Sequence, residues 1–221
     1  MRHESIQVMA TVRRALGFVT GAILVGTIAS AQTQPTSPGR WRFGASTGGY
    51  VPLSSVIVAA DSHDTRLGAA PAFSIDVQYL ASNSISIYGT GIFTFPTISL
   101  GSTIQPSVVG PSNQVMVTGG TAGVVLTTTS WLGGHFQPTL RIGGGVKWYA
   151  FDLTGAENQV RPTGDFGLGF RGVGSGPIEV TAEVRYLPST FDQSKLPTRG
   201  ITTQEQRQND LAFTIGIGIR P

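Results

Sequence analysis

The strongest constraint on the fold is a strict two-residue alternation in the last strand-like segment of the chain. Its bulky apolar residues are Leu211, Phe213, Ile215, Ile217 and Ile219, and small residues, a threonine and an arginine occupy the other positions. Successive side chains of a β-strand point to opposite faces, so this segment predicts a strand with one apolar and one polar face. Sustained helical periodicity is absent after residue 31, which predicts an all-β domain.

The same alternation recurs upstream and predicts eight strands in total. The segments are Trp41 to Leu53, Ala72 to Leu80, Ser84 to Phe95, Gln114 to Leu126, Phe136 to Trp148, Asp165 to Arg171, Ile178 to Tyr186 and Leu211 to Arg220. The pair Gly119 and Gly120 interrupts the fourth segment, where we expect a β-bulge.

The connections between these segments alternate in length. Those after the second, fourth and sixth strands are short, and those after the first, third, fifth and seventh are mostly longer. The short ones are Ala81 to Asn83, Thr128 to His135 and Val173 to Gly176, and the longer ones are Ser54 to Ala70, Pro96 to Asn113, Asp152 to Pro162 and Leu187 to Asn209. Short turns on one rim and long loops on the other are typical of outer-membrane β-barrels.

The residue types on the two faces favour a barrel in a membrane over a soluble secreted barrel or sandwich. The apolar face is bulky and almost free of charge, as a lipid-facing surface must be, and charged residues make up only 12% of the chain. The polar face is rich in glycine, serine and threonine, which suits the narrow lumen of an eight-stranded barrel. We therefore predict an eight-stranded antiparallel up-and-down transmembrane β-barrel over residues 40–221, with short periplasmic turns and longer extracellular loops.

The residues before this domain form an export signal. Arg2, Arg13 and Arg14 precede an apolar stretch from Ala15 to Ile28, and Ala29-Ser30-Ala31 is a small-residue cleavage site. This pattern predicts a signal peptide over residues 1–31, followed by a flexible leader over residues 32–39. With the barrel, it predicts location in the outer membrane of a Gram-negative-type bacterium.

On these features the chain resembles small outer-membrane β-barrel proteins of the OmpA/OmpX-like type, over about residues 40–221. Their last strand is an assembly signal that usually ends in an aromatic residue, whereas here Phe213 to Ile219 alternates correctly and Arg220-Pro221 follows. The resemblance implies a monomer that is surrounded by outer-membrane lipid and lipopolysaccharide and is inserted by the barrel-assembly machinery. The chain has no lysine- or arginine-rich run, so we expect no nucleic-acid partner.

Aromatic residues near the predicted strand ends would form the girdles of such a barrel. They are Trp41, Tyr50, Tyr79, Phe136, Trp148, Tyr149 and Tyr186.

Nine charged residues on the polar face of the strands are predicted to form a network in the lumen. They are Arg42, Asp76, Arg141, Lys147, Asp165, Arg171, Glu179, Glu183 and Arg185. Charges in a narrow lumen cannot be fully hydrated, so we expect them to pair. Because side chains nearly fill the interior of an eight-stranded barrel, we favour a structural plug over a conducting pore.

Two of these pairs can be predicted from a register. A turn centred near Ser175 would place Arg171 opposite Glu179. The same register places Asp165 opposite Arg185, so we predict two ion pairs between the sixth and seventh strands.

This register also has a consequence for a third acid. It leaves Glu183 opposite Gly167, from where the carboxylate can reach across the lumen. Its candidate partners are Arg42, Arg141 and Lys147, and Asp76 is a second acid that these cations could meet.

The sequence offers little support for catalysis, a cofactor or a metal. Ser62, His63 and Asp64 are adjacent in a long loop, and His135 lies in a short turn. Such neighbours seldom form a catalytic triad, so we interpret them as hydrated loop residues. Gly143 to Gly145 lies within a strand and opens no helix, so it is not a phosphate-binding loop. Cysteine is absent.

The function predicted from the sequence is therefore non-enzymatic. It is a structural, envelope-integrity or surface-interaction role, with a lumen filled by the charged network. A narrow pore for ions or small solutes is the first alternative, and a lipid-modifying outer-membrane enzyme is the second.

Overall fold

The computed structural model describes residues 40–57, 65–99, 114–128, 135–152, 155–173, 176–196 and 205–221. The predicted signal peptide, the predicted leader and His63 lie outside these residues. The described strands are β1 (Trp41–Pro52), β2 (Ser55–Ile57), β3 (Thr65–Leu67), β4 (Ala70–Leu80), β5 (Ile85–Thr94), β6 (Ile98–Ser99), β7 (Val115–Thr127), β8 (Phe136–Phe151), β9 (Gln159–Val173), β10 (Ile178–Tyr186), β11 (Ser189–Asp192), β12 (Glu205–Gln208) and β13 (Asp210–Ile219). A short 3-10 helix, Gln193–Lys195, follows β11.

Eight of these strands form a closed antiparallel barrel, as predicted. The order is β1, β4, β5, β7, β8, β9, β10 and β13, and each strand pairs with the next. β13 also pairs with β1, from Phe43 opposite Ile219 to Pro52 opposite Asp210, which closes the ring. Closure satisfies the backbone of every strand without an exposed edge, as a lipid environment requires.

The bulge expected in the fourth barrel strand is absent, so that prediction was wrong. Gly119 and Gly120 pair in continuous register with Ile92 and Gly91 of β5. The register with β8 is also continuous through these two glycines. The two glycines keep the strand alternation: Gly119 is on the inward face and Gly120 is on the outward face.

The alternation in the sequence separates an apolar outside from a polar inside. Ile215 and Leu168 are each 67% exposed on the outer wall, while Thr214 and Asp165, at inward positions of the same two strands, are buried. An outer wall of exposed isoleucine, leucine, valine and phenylalanine is stable only against lipid. Among the described residues, no helix has the length and hydropathy needed to cross a membrane.

Inward glycines leave space for large lumenal side chains. A Cβ atom at Gly143 would lie 2.2 Å from the hydroxyl oxygen of Tyr88 and 2.4 Å from the carbonyl oxygen of Ala122. A Cβ atom at Gly218 would lie 2.6 Å from the guanidinium of Arg42. The small residues on the polar face therefore make room for charged and aromatic neighbours in a narrow interior.

The long connections carry additional strands above the barrel. β2, β3 and β6 form a three-stranded sheet from the first two long loops. β11 and β12 form an antiparallel pair in the last long loop, and Ser189 of β11 also pairs with Thr163 of β9. None of these strands was predicted, because segments of two to four residues are too short to show alternation.

Five of the seven aromatic residues predicted to form girdles face outward near the strand ends, as predicted. Trp41 and Tyr79 pack together near the short-turn rim with ring centroids 5.0 Å apart. Phe136, Trp148 and Tyr186 are also exposed on the outer wall. The prediction was wrong for the other two, Tyr50 and Tyr149, which are buried in the barrel interior.

Candidate functional site

The barrel interior is the candidate functional site, and it has two zones. The lumenal network comprises the nine predicted charged residues together with Asp210 and Arg220. The loop-end cluster is apolar and comprises Tyr50, Leu67, Ala72, Ile98, Val115, Val117, Tyr149, Phe191 and Leu196. All nine predicted residues lie on inward strand positions, and the most exposed of their side chains, that of Glu183, is only 17% exposed.

Nearest the short turns, three arginines surround the carboxylate of Glu179. Its Oε2 atom lies 2.7 Å from Nε of Arg42 and 3.5 Å from Nε of Arg171. Its Oε1 atom lies 2.5 Å from a guanidinium nitrogen of Arg220. Arg171 also donates a 2.8 Å hydrogen bond to the side-chain oxygen of Gln78. This group joins β1, β4, β9, β10 and the end of β13 across the lumen.

Asp76 and Arg141 link this group to the middle of the lumen. Asp76 accepts from Arg42 at 3.2 Å, from Arg141 at 3.0 Å and from the hydroxyl of Thr90 at 2.6 Å. Arg141 donates through Nε to Glu183 at 2.8 Å. Its guanidinium also lies over the ring of Tyr88, 4.1 Å from the centroid, a favourable cation–π geometry.

Asp165 and Arg185 form a fully hydrogen-bonded pair further along the lumen. Two guanidinium nitrogens of Arg185 donate to Asp165, at 3.0 Å and 2.6 Å. Asp165 also accepts from the hydroxyls of Tyr88 at 2.8 Å and Thr121 at 2.7 Å. Both charged side chains are essentially inaccessible to solvent, so their mutual hydrogen bonds replace those lost to water.

Lys147 and Asp210 form the last ion pair before the loop-end cluster. The ammonium of Lys147 donates to Asp210 at 2.5 Å and to the carbonyl oxygen of Leu187 at 2.7 Å. Asp210 is not among the predicted network residues, because the predicted last strand begins at Leu211. Extending the alternation one residue upstream places Asp210 on the same face as Thr214, which was the available signal.

The predicted register between the sixth and seventh barrel strands was wrong by two residues. Glu179 pairs with Val173 rather than with Arg171, and Arg185 pairs with Gly167 rather than with Asp165. Both proposed side-chain contacts nevertheless exist, because the long side chains reach diagonal neighbours on the same face.

Glu183 forms an ion pair with one of its three candidate partners. Glu183 lies opposite Gly169 rather than Gly167, and its carboxylate contacts Arg141. The other two candidates, Arg42 and Lys147, pair with other acids.

The loop-end cluster closes the other end of the lumen. Phe191 of β11 packs edge-on against Tyr149 of β8, with ring centroids 5.4 Å apart. Phe151 contacts the other side of Phe191 at 5.9 Å. Tyr149, Phe191 and Val115 have no accessible surface. The described part of the last long loop therefore contributes Phe191 and Leu196 to the apolar cluster at the barrel mouth.

Polar contacts order the loops above this cluster. Asp192 accepts hydrogen bonds from the backbone and hydroxyl of Ser194 and forms an ion pair with Arg161 at 2.8 Å. The hydroxyl of Ser194, followed by its backbone N–H and the charge of Arg161, lowers the pKa of the Asp192 carboxyl. Lys195 pairs with Glu157 across the loops, and this contact raises the pKa of the lysine.

A cavity of about 40 Å³ lies within the lumenal network, which is room for only a few water molecules. No group of three histidine or acidic side chains able to hold a metal occurs in the described part of the chain. His135 is exposed beside β8, away from the charged interior.

The fold, the apolar outer wall and the charged interior define a small eight-stranded β-barrel of the kind that spans membranes. The structure is similar to that of Neisserial surface protein A, with a TM-score of 0.58 at 12% identity over 84% of this chain and 100% of that one. It is also similar to the outer membrane protein OprG from Pseudomonas aeruginosa, with a TM-score of 0.54 at 12% identity over 86% of this chain and 99% of that one. These likenesses confirm the predicted fold. No family model matches the chain, and no curated protein sequence matches it significantly.

Proposed function

We propose that this protein is a non-conducting, non-enzymatic outer-membrane barrel that reinforces the membrane and presents its folded loops at the surface. One observation supports the proposal: among the described residues, buried ion pairs follow one another through the lumen and lead to the apolar loop-end cluster. Such a column of paired charges and packed apolar side chains would block a water-filled path for solutes. Outer-membrane lipid, including lipopolysaccharide, is the proposed partner of the apolar wall.

The loops support the surface role. β3 pairs with β2 and with β6, and β11 pairs with β12, so the described parts of the long connections form sheets above the barrel. Ordered loops can present a fixed surface to a partner at low entropic cost. His135 is exposed next to a short turn, which gives no support to the lipid-modifying alternative.

Electrical recording tests the sealed interior. Protein refolded into planar bilayers is expected to give no discrete current steps in concentrated potassium chloride, whereas a refolded porin in the same bilayer gives them. Heat-modifiable migration on gels verifies that the recorded sample is folded, because a closed barrel resists detergent before boiling. Current steps from folded protein would contradict the sealed barrel and support the narrow-pore alternative.

A further inference from the structure

We infer that the lumenal network binds a small monovalent anion, such as chloride, in the cavity beside Arg171. The inference goes beyond the sealed barrel proposed above, because a closed interior can hold an ion whether or not it conducts. It follows from the charges that line the cavity, from the hydrogen bonds of Arg171 and from the volume available.

The cavity lies in a network that has one more cation than anions. Its charged lining residues are Arg42, Arg141, Arg171, Arg185, Asp76 and Glu183. Asp165 and Glu179 lie outside the lining but pair with two of these arginines, Arg185 and Arg42. With Arg220, Lys147 and Asp210 included, the lumenal network has six cations and five anions. Charges that are removed from water need compensation by opposite charges nearby, so this excess of one cation is a reason for an anion to enter.

Arg171 is the cation whose charge is compensated least. Arg42, Arg141 and Arg185 each donate hydrogen bonds to carboxylates. Arg171, by contrast, donates its one hydrogen bond within the described residues to the neutral amide oxygen of Gln78. Its buried Nε atom has no hydrogen-bond partner among the described residues.

The carboxylate next to Arg171 is already occupied by other cations. Glu179 lies 3.5 Å from Nε of Arg171, longer than its contacts of 2.7 Å with Arg42 and 2.5 Å with Arg220. Glu179 does not contribute to the cavity lining, whereas Arg171 does. The guanidinium of Arg171 thus lacks a short hydrogen bond to Glu179. An anion in the cavity could supply the missing acceptor.

The cavity and its surroundings suit a small monovalent anion. A volume of about 40 Å³ accommodates a halide ion together with a few water molecules. Cation-rich, partly dehydrated surroundings favour a weakly hydrated monovalent anion over a multivalent one, whose desolvation costs more.

Anomalous diffraction locates the ion directly. Crystals of the refolded protein grown with sodium bromide are expected to show an anomalous difference peak in the cavity, within hydrogen-bond distance of Arg171. A map without a peak in the cavity overturns the inference, because bromide shares the charge and nearly the size of chloride.

Chloride dependence of unfolding gives a solution test with matched variants. As chloride replaces gluconate at constant ionic strength, the urea midpoint of the wild type should rise, since a ligand of the folded state stabilises it. Arg171→Gln should weaken the apparent chloride affinity by about tenfold or more. Arg161→Gln removes one positive charge at the loops, outside the cavity lining, and should leave the chloride effect unchanged.

A second cavity variant keeps the test decisive if Arg171→Gln does not fold. Glu183→Gln removes one of the two lining carboxylates and should strengthen chloride binding by about tenfold. Equal chloride dependence in wild type and Glu183→Gln, or a retained effect in folded Arg171→Gln, overturns the anion site. Either result is independent of bilayer recording, which alone decides whether the barrel is sealed.

Discussion

The lumenal network is stabilised by ion pairs, whereas the loop-end cluster is stabilised mainly by apolar packing. In the network, Asp165 and Arg185 depend on each other for charge compensation. In the cluster, the rings of Tyr149 and Phe191 pack edge to face. The stability of the network should therefore be sensitive to the loss of a single charge, and that of the cluster to changes of side-chain volume.

The largest expected effect is the loss of one charge from the buried Asp165–Arg185 pair. Asp165→Asn is nearly isosteric but leaves the Arg185 guanidinium without its carboxylate, which should cost about 3–5 kcal/mol. The measurement is urea unfolding in lipid vesicles, followed by tryptophan fluorescence. Asp192→Asn, at the partly exposed pair with Arg161, is the control and should cost at most about 1 kcal/mol. Equal losses in the free energy of unfolding for the two variants would contradict the expected difference between the buried and the partly exposed pair.

The next effect compares the strengths of two contacts within the lumenal network. Double-mutant cycles pairing Glu179→Gln with Arg42→Met or with Arg171→Met should show coupling of about 0.5–3 kcal/mol for Arg42 and clearly less for Arg171. The reason is that Arg42 donates a 2.7 Å hydrogen bond to Glu179, whereas the Arg171 contact is 3.5 Å long. Coupling that is as strong for Arg171 would contradict the unequal sharing of this carboxylate.

A smaller loss of stability is expected for a substitution in the loop-end cluster. Phe191→Leu keeps an apolar side chain in the loop-end cluster and should cost less than about 1.5 kcal/mol. This change alters shape more than Asp165→Asn does, yet its cost in the same urea experiment should be lower. A cost above that of Asp165→Asn would show that packing, and not charge compensation, dominates the stability of the interior.

The smallest effect concerns pH and lies outside the barrel. Because hydrogen bonds from Ser194 lower the pKa of Asp192, the ionised carboxylate stabilises the folded loop. This stabilisation is present above the unfolded pKa of about 3.9 and is lost as pH falls through the lower folded value. Ser194→Ala should raise the pKa of Asp192 toward its ordinary value, as measured by carboxyl carbon chemical shifts. An unchanged titration curve would exclude Ser194 as the main cause.

The barrel strands could be predicted because each is long enough for alternation to be visible. The ten residues of β13 show this, since Ile215 and Ile217 mark one face and Thr214 marks the other. The strands of the loop sheets could not be predicted, because β6 has two residues and β2 has three. Their pairing depends on tertiary contacts at the barrel rim, which periodicity does not contain.

The members of the network could be predicted better than their partners. Alternation places Glu179 and Glu183 on the inner face, but only the turn geometry sets the register, and a shift of two residues keeps every side chain on its face. That is why the predicted register failed while both predicted contacts exist. Contacts across the lumen, such as Arg42 with Glu179, depend on the curvature of the closed wall and had no signal in the sequence.

Ring closure has a consequence for how the barrel comes apart. β1 is hydrogen-bonded to β4 on one side and to β13 on the other, like every other strand of the ring. Detaching one strand would expose two rows of unpaired amides to lipid, at a cost of several kcal/mol for each group. Fraying from either terminal strand, the usual first step for an open sheet, is therefore blocked. The barrel should unfold as one cooperative unit, with no populated species of seven strands.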